Sequence, residues 1–210
     1  MTTRRNPVRA ILFSAPKDDL CLAFANTLCW RGRPKPSEGL GGIEDLLRWL
    51  AGTANMPAAA IEMAASRLDR RPAEANTLFG AAIEMREAIY RIFAACAASE
   101  PVSNKDLALL NSALGEAPPR EKLAQSDRGF AWEAKEVPIS AAGLLAPVLL
   151  WSAADLLTHA DRRRVRRCAN DACLWLFVDE SKAGTRRWCD MSSCGNRAKS
   201  RRHYLKTKAG

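Results

Sequence analysis

Four of the seven cysteines, Cys168, Cys173, Cys189 and Cys194, fall into two pairs with the same internal spacing, C-x4-C-x15-C-x4-C. Zinc takes four soft ligands at tetrahedral corners, and each closely spaced pair supplies two of them. All four positions are thiols, so no corner is left for water, and the expected ion is one structural Zn2+ rather than a catalytic one. Two disulfides or four unrelated thiols are the alternatives, and the even pairing favours the metal. The only apolar run near the start, Ala10 to Phe13, is too short for a secretory signal. The expected setting is therefore a reducing cytoplasm, where paired cysteines serve metals more often than disulfides. Cys21, Cys29 and Cys96 stand in apolar helical contexts and read as small buried hydrophobes.

The charge lies where these cysteines lie. The net charge is +9, yet residues 1–160 hold 18 Lys and Arg against 18 Asp and Glu, while residues 161–210 hold 14 against 5. Such asymmetry points to an anionic partner, nucleic acid before an anionic membrane surface. Arg186, Arg187 and Arg197 stand near the cysteines in sequence and are expected to favour their thiolate form. The stretch DMSSCGNRAKSRRHYLK reads as a helix with Cys194 in its first turn. On a helical wheel Cys194, Ala198 and Leu205 face the metal, and Lys199, Arg202 and Lys206 share an outer side. The expected phosphate contacts are Lys199, Arg202, Lys206 and the cluster from Arg162 to Arg167, which includes Arg166 and Arg167. Arg186 and Arg187 join this basic surface, and Asn196, Arg197 or Arg201 would reach base edges. Trp175, Phe177, Trp188 and Tyr204 are placed mainly in the core of a hairpin, LWLFVDES–KAGT–RRWC, that returns the second cysteine pair to the first. Gly195 would let the backbone approach the metal, and Asn196 would hydrogen-bond nearby backbone.

The elements that must hold this module are mostly helical. A short strand is expected around Val8 to Phe13, then a helix in DDLCLAFANTL, and a Pro/Gly loop in RGRPKPSEGLGG. Helices follow in IEDLLRWLAG, behind Pro57, from Pro72 to about Ser99, and from Asn104 to Leu114 behind an N-capping Ser103. EKLAQSDRGFAWEAKE is a hairpin with its turn at Asp127–Gly129. Residues 139–160 form a core helix that Pro147 would kink, with an uncharged run too short to span a bilayer.

Arg86 is out of pattern. It falls amid Phe79, Ile83, Ile89, Tyr90 and Phe93 on one helix face, while Glu84, Glu87 and Arg91 point away. A guanidinium there needs an anion or several carbonyls. The first reading is an internal ion pair with Asp18, Asp19 or Asp155. The second is a pocket in which Arg86, with Asn26 and Arg31, holds a small anionic ligand. Only His159 and His203 are present, no catalytic motif appears, and the chain is not expected to be an enzyme.

The runs CANDACLWLF and RRWCDMSSCGNRAKSRRH resemble the CGNR zinc finger, named for Cys194-Gly195-Asn196-Arg197. LAFANTLCWRGRP and SAADLL upstream resemble the ABATE domain that precedes that finger. The resemblance implies a bacterial stress-related transcriptional regulator that binds DNA. The expected architecture is a mainly α N-terminal domain with a minor β hairpin (1–161), which senses a ligand or forms a homodimer. A small treble-clef-like four-cysteine finger (162–210) is joined to it in a fixed relation. RNA binding, or a scaffold role with an acidic protein partner, are the alternatives, and no membrane association is expected.

Overall fold

Apolar side chains recurring every three or four residues dominate the first half of the chain, and helices form there. The computed structural model describes residues 11–17, 19–54, 56–127, 129–134, 140, 143, 145, 149–159 and 164–208, without the side chains of 202, 203, 205 and 206. Helices α1 (Leu20–Ala25), α2 (Ile43–Gly52), α3 (Ala58–Asp69), α4 (Pro72–Ala98) and α5 (Asn104–Glu116) precede the hairpin. Pro72 opens α4, where its missing N–H costs nothing, and Ser99 ends it in a left-handed conformation. Ser103 occupies the N-cap position of α5 but makes no capping hydrogen bond.

A three-stranded antiparallel sheet joins β1 (Ile11–Phe13) to the expected hairpin, β4 (Leu123–Ser126) and β5 (Gly129–Ala134), in the order β1-β5-β4. The strand expected from Val8 is thus present over its described part. Two details differ from expectation. The helix expected through DDLCLAFANTL ends at Ala25, because Leu28–Cys29 (β2) turns away to pair with Ser37–Glu38 (β3) across the Pro/Gly loop. Of the helix expected over 139–160, Trp151–Thr158 (α6) is a described element, and the kink expected at Pro147 lies outside the described residues.

Leu22, Phe24, Leu46, Leu50, Ile89, Ile92, Phe93, Leu149 and Leu150 form the centre of the core. The Ser152 hydroxyl joins α6 to α1, accepting from the Cys21 amide at 3.0 Å and donating to the Lys17 carbonyl at 3.1 Å. Strands β6 (Val165–Arg167) and β7 (Leu176–Val178) pair antiparallel, and their Val165 and Leu176 are buried in the same core as the helices. The cysteine-bearing segment is therefore packed into the helical body.

Candidate metal centre and basic surface

Each cysteine pair sits on a turn built for it. After β6, the Asn170 side chain accepts from the Ala172 amide at 3.1 Å, and the Asn170 carbonyl accepts from the Cys173 amide at 2.7 Å, closing the first knuckle. Leu174 then takes a positive φ of 60°, an unfavourable conformation for a branched side chain. The Tyr90 hydroxyl of α4 holds its carbonyl at 3.0 Å. The second pair returns along a loop ordered by buried Asp179, whose carboxylate accepts from the Ser181 amide and hydroxyl and from the Arg186 amide. Asp190 then caps a single π-helical turn (Met191–Gly195), accepting from the Ser192 and Ser193 amides; these bonds and the Ser192 hydroxyl bring its carboxyl down to about 2. Cys194 lies in that turn, and helix α7 (Asn196–Lys208) follows.

The four sulfurs all lie within 4.8 Å of one another, and those of Cys173 and Cys189 are 3.7 Å apart. That is far beyond a disulfide bond, and all four thiols are free. Zn–S bonds of about 2.3 Å at tetrahedral angles need sulfurs about 3.8 Å apart, so the donor set fits the ion. Burial pushes the Cys173 thiol up to about 12, with the neighbouring Cys168 adding to the rise; burial and the other thiols also raise Cys189. Burial alone would raise Cys194 as well, but the Asn170 side chain and the other thiols donate to it and bring it below the ordinary thiol value. A divalent cation relieves this crowding by stabilising all four thiolates. These four cysteines form a structural zinc site.

The arginines near the sulfurs do other work than expected. Arg186 lies over the Phe177 ring and donates to the Trp188 and Cys189 carbonyls, so it ties the return loop to the metal site. Arg187 lies over Trp188, and Arg197 lies over Trp30. The hairpin also differs from expectation: β7 pairs with β6, not with residues 186–189, which instead meet the first knuckle through the bond from the Ala169 amide to the Arg187 carbonyl. A Cβ at Gly195 would meet the Met191 thioether 2.8 Å away, so this contact favours glycine there. Asn196 donates to the Ser192 carbonyl at 3.0 Å, as its backbone role required.

The basic face is open. Asn196, Arg197, Lys199 and Arg201 on α7 are exposed, as are Arg187 and Arg167. Arg166 is half-buried and donates to the Val165 carbonyl. The side chains of Arg202 and Lys206, and residues 162 and 163, lie outside the described residues. Trp175 and Tyr204 are exposed rather than buried, while Phe177 and Trp188 pack against the cysteines as expected.

Asn26, Arg31 and Arg86 are brought together, and each is engaged from within. Arg86 is 2% exposed and donates bidentately to Glu38 at 2.6 and 2.8 Å and also to Glu87 at 2.9 Å. Its partners are thus neither Asp19 nor Asp155, and Asp18 lies outside the described residues. Arg31 pairs with Glu87 at 2.6 Å, donates to the Ala25 carbonyl and lies over Tyr90. Glu87, expected to point away, is the shared anion. Burial pushes Glu38 and Glu87 up, but the guanidinium hydrogen bonds and charges outweigh it and hold both below the ordinary value. Asn26 matches the peptide edge of β7: its side chain donates to the Leu176 carbonyl at 2.8 Å and accepts from the Leu176 amide at 3.0 Å.

Sequence reasoning missed Gly32 and Trp30 as a junction. A Cβ on Gly32 would stand 1.6 Å from the Asp171 carbonyl oxygen, so the β2–β3 loop touches the first knuckle where only glycine fits. Trp30, at a positive φ of 56°, packs against the cysteines with Arg33 and Arg197 over its ring. A glycine between two arginines in WRGRP was the available signal.

The family model described as "Putative stress-induced transcription regulator", ABATE, matches residues 18–160, and the CGNR zinc finger model matches residues 164–207. The chain belongs to the ABATE family and ends in a CGNR zinc finger. Neither of the two is an enzyme family. A search of curated proteins returned no match. In ABATE terms, α1, α4 and the β2–β3 loop form the surface on which the CGNR knuckle and β7 rest. Among the described residues no helix is long and apolar enough to cross a membrane.

Proposed function

We propose that this chain is a cytoplasmic transcription regulator that binds DNA through the zinc-ordered face around α7, with residues 1–161 as the sensing unit and 162–210 as the finger. The observation that carries the reading is the exposed cationic side of α7, with Lys199 and Arg201, set on a turn whose Cys194 belongs to the metal site. Zinc supplies no chemistry beyond fixing shape: it joins the two knuckles, and the protein's own residues meet the polyanion. Lys199 and Arg167 are suited to phosphates, and Asn196 keeps one side of its amide for a base edge. Four thiolates around Zn2+ leave about −2 on the site, so the finger retains roughly +7 for a polyanion. The shared core, through Val165 and Leu176, supports transmission from the helices to the finger.

Fluorescence anisotropy with a random-sequence DNA duplex tests this. With about six phosphate contacts, affinity should fall about a thousandfold between 50 and 200 mM salt. An affinity independent of salt would remove the reading. An RNA stem of matching length, bound more tightly than the duplex under the same conditions, would transfer it to RNA.

A further inference from the structure

A cleft of about 570 Å3 opens between the first knuckle and α7, lined by Gly32, by Asn170 and Asp171 of the knuckle, and by Trp188 and Cys194. Arg187, Arg197 and Arg201 all line it. Many arginines elsewhere are committed: Arg31, Arg48, Arg67, Arg71, Arg86, Arg91 and Arg120 each pair with a carboxylate, and Arg164 and Arg186 are spent on backbone carbonyls, while Arg33 stacks on Trp30. Among the described residues, none of the three arginines of the cleft is paired with a carboxylate. Two of them are oriented all the same, Arg187 lying 5.4 Å from the Trp188 ring centre and Arg197 4.4 Å from that of Trp30. Stacking fixes the plane of a guanidinium and leaves its N–H edge for an oxyanion.

We infer that this cleft is a phosphate site, in which Arg187, Arg197 and Arg201 converge on the oxygens of one phosphate group and the Trp188 indole forms the wall beside it. Three guanidiniums around one tetrahedral dianion or diester give the charge-assisted, forked hydrogen bonds that arginine makes best. The volume suits a phosphate with its attached sugar and base, within the usual range for small-molecule sites. The same chemistry is offered by a DNA backbone and by a free nucleotide. The cleft includes Cys194, and Arg187 and Arg197 flank the second cysteine pair, so the site exists only while the metal holds the two knuckles together. This deepens the DNA reading but also stands apart from it, since a free phosphate ligand needs no duplex.

The test uses the full-length zinc-loaded protein and its Arg187→Gln/Arg201→Gln variant, which leaves Arg197 on Trp30, with zinc content and near-UV circular dichroism as folding controls. Inorganic phosphate and dAMP are titrated by calorimetry, and a DNA duplex by anisotropy at several salt concentrations. The expected result is saturable phosphate binding that weakens about tenfold or more in the folded variant. In the duplex arm, the salt slope should fall by no more than about 0.9, because both side chains serve the same phosphate. A fall of about 1.8 would show that they serve separate phosphates, and the shared site would be wrong. Unchanged binding of phosphate and dAMP in the variant would overturn the site outright, whatever the duplex does. Should the wild-type chain bind no duplex yet lose dAMP in the variant, the cleft stands as a free-nucleotide site and the DNA reading fails alone.

Discussion

Two regions of this molecule gather arginines around an indole or phenol ring, and they use them in opposite ways. Behind the β2–β3 loop, buried Arg86 and half-buried Arg31 share Glu87, and Glu38 completes the ion-pair network. Across that loop, Arg187, Arg197 and Arg201 line the cleft beside the zinc site, with rings beneath two of them and no ion pair to a carboxylate among the described residues. The contrast separates a guanidinium that fixes structure from one that is kept for a partner. It also assigns the loop its place: one side is locked to α4, and the other presents Gly32 and Trp30 to the first knuckle.

If the comparison is right, damage to the locked region should cost stability, and damage to the open one should cost binding. The largest effect is expected from Cys173→Ser. Bound zinc should fall from one per chain to near zero, with loss of a binding free energy on the order of 10 kcal/mol. The burial of Val165 and Leu176 in the common core predicts that chelation lowers the helical melting temperature as well, which far-UV circular dichroism with and without chelator will show. Arg86→Ala leaves Glu38 and Glu87 without their shared cation and should cost about 3–5 kcal/mol in urea unfolding while the folded fraction keeps its zinc. Asn26→Ala leaves both backbone groups of Leu176 without a partner in a buried position and should cost about 2–4 kcal/mol. Gly32→Ala forces a Cβ onto a backbone oxygen, and a cost near 3 kcal/mol with weakened zinc retention is expected.

The smallest effect is one of pH. Glu38 and Glu87 titrate below their ordinary value in the folded chain, so the unfolded chain takes up protons first as the pH drops. The stability they contribute is present above about pH 4.5 and fades as the pH falls through the folded-state values. Glu38→Gln should therefore narrow the difference in urea midpoint between about pH 6.5 and pH 4. An equal pH dependence in the variant would mean that the Arg86 network is not the locked element described above.

Much of this was legible in the residues. The four thiols, the basic helix, the β4–β5 hairpin and the long helix opened by Pro72 follow from local spacing and from side-chain chemistry that needs no long-range partner. What escaped were pairings set by tertiary contact. The β6–β7 ladder joins VRR to LFV because both bury one side chain in the helical core, whereas the alternation seen in LWLFV and RRWC carries no information about which strand is the neighbour. The anion for Arg86 came from Glu38, 48 residues away in a stretch that reads as a Pro/Gly loop. The arginines beside the cysteines were read as charges acting on sulfur, yet Arg186 serves carbonyls and Arg187 and Arg197 stack on rings. Sequence proximity told where those side chains were, not what faced them.

The most direct test of the central claim is a single titration. DNA binding by the full-length protein is followed by anisotropy at low salt before chelation, after chelation, and after zinc is restored. The account predicts tight binding with zinc, its loss when the metal is withdrawn, and full recovery on reloading. Binding that persists undiminished in the verified metal-free chain would contradict it.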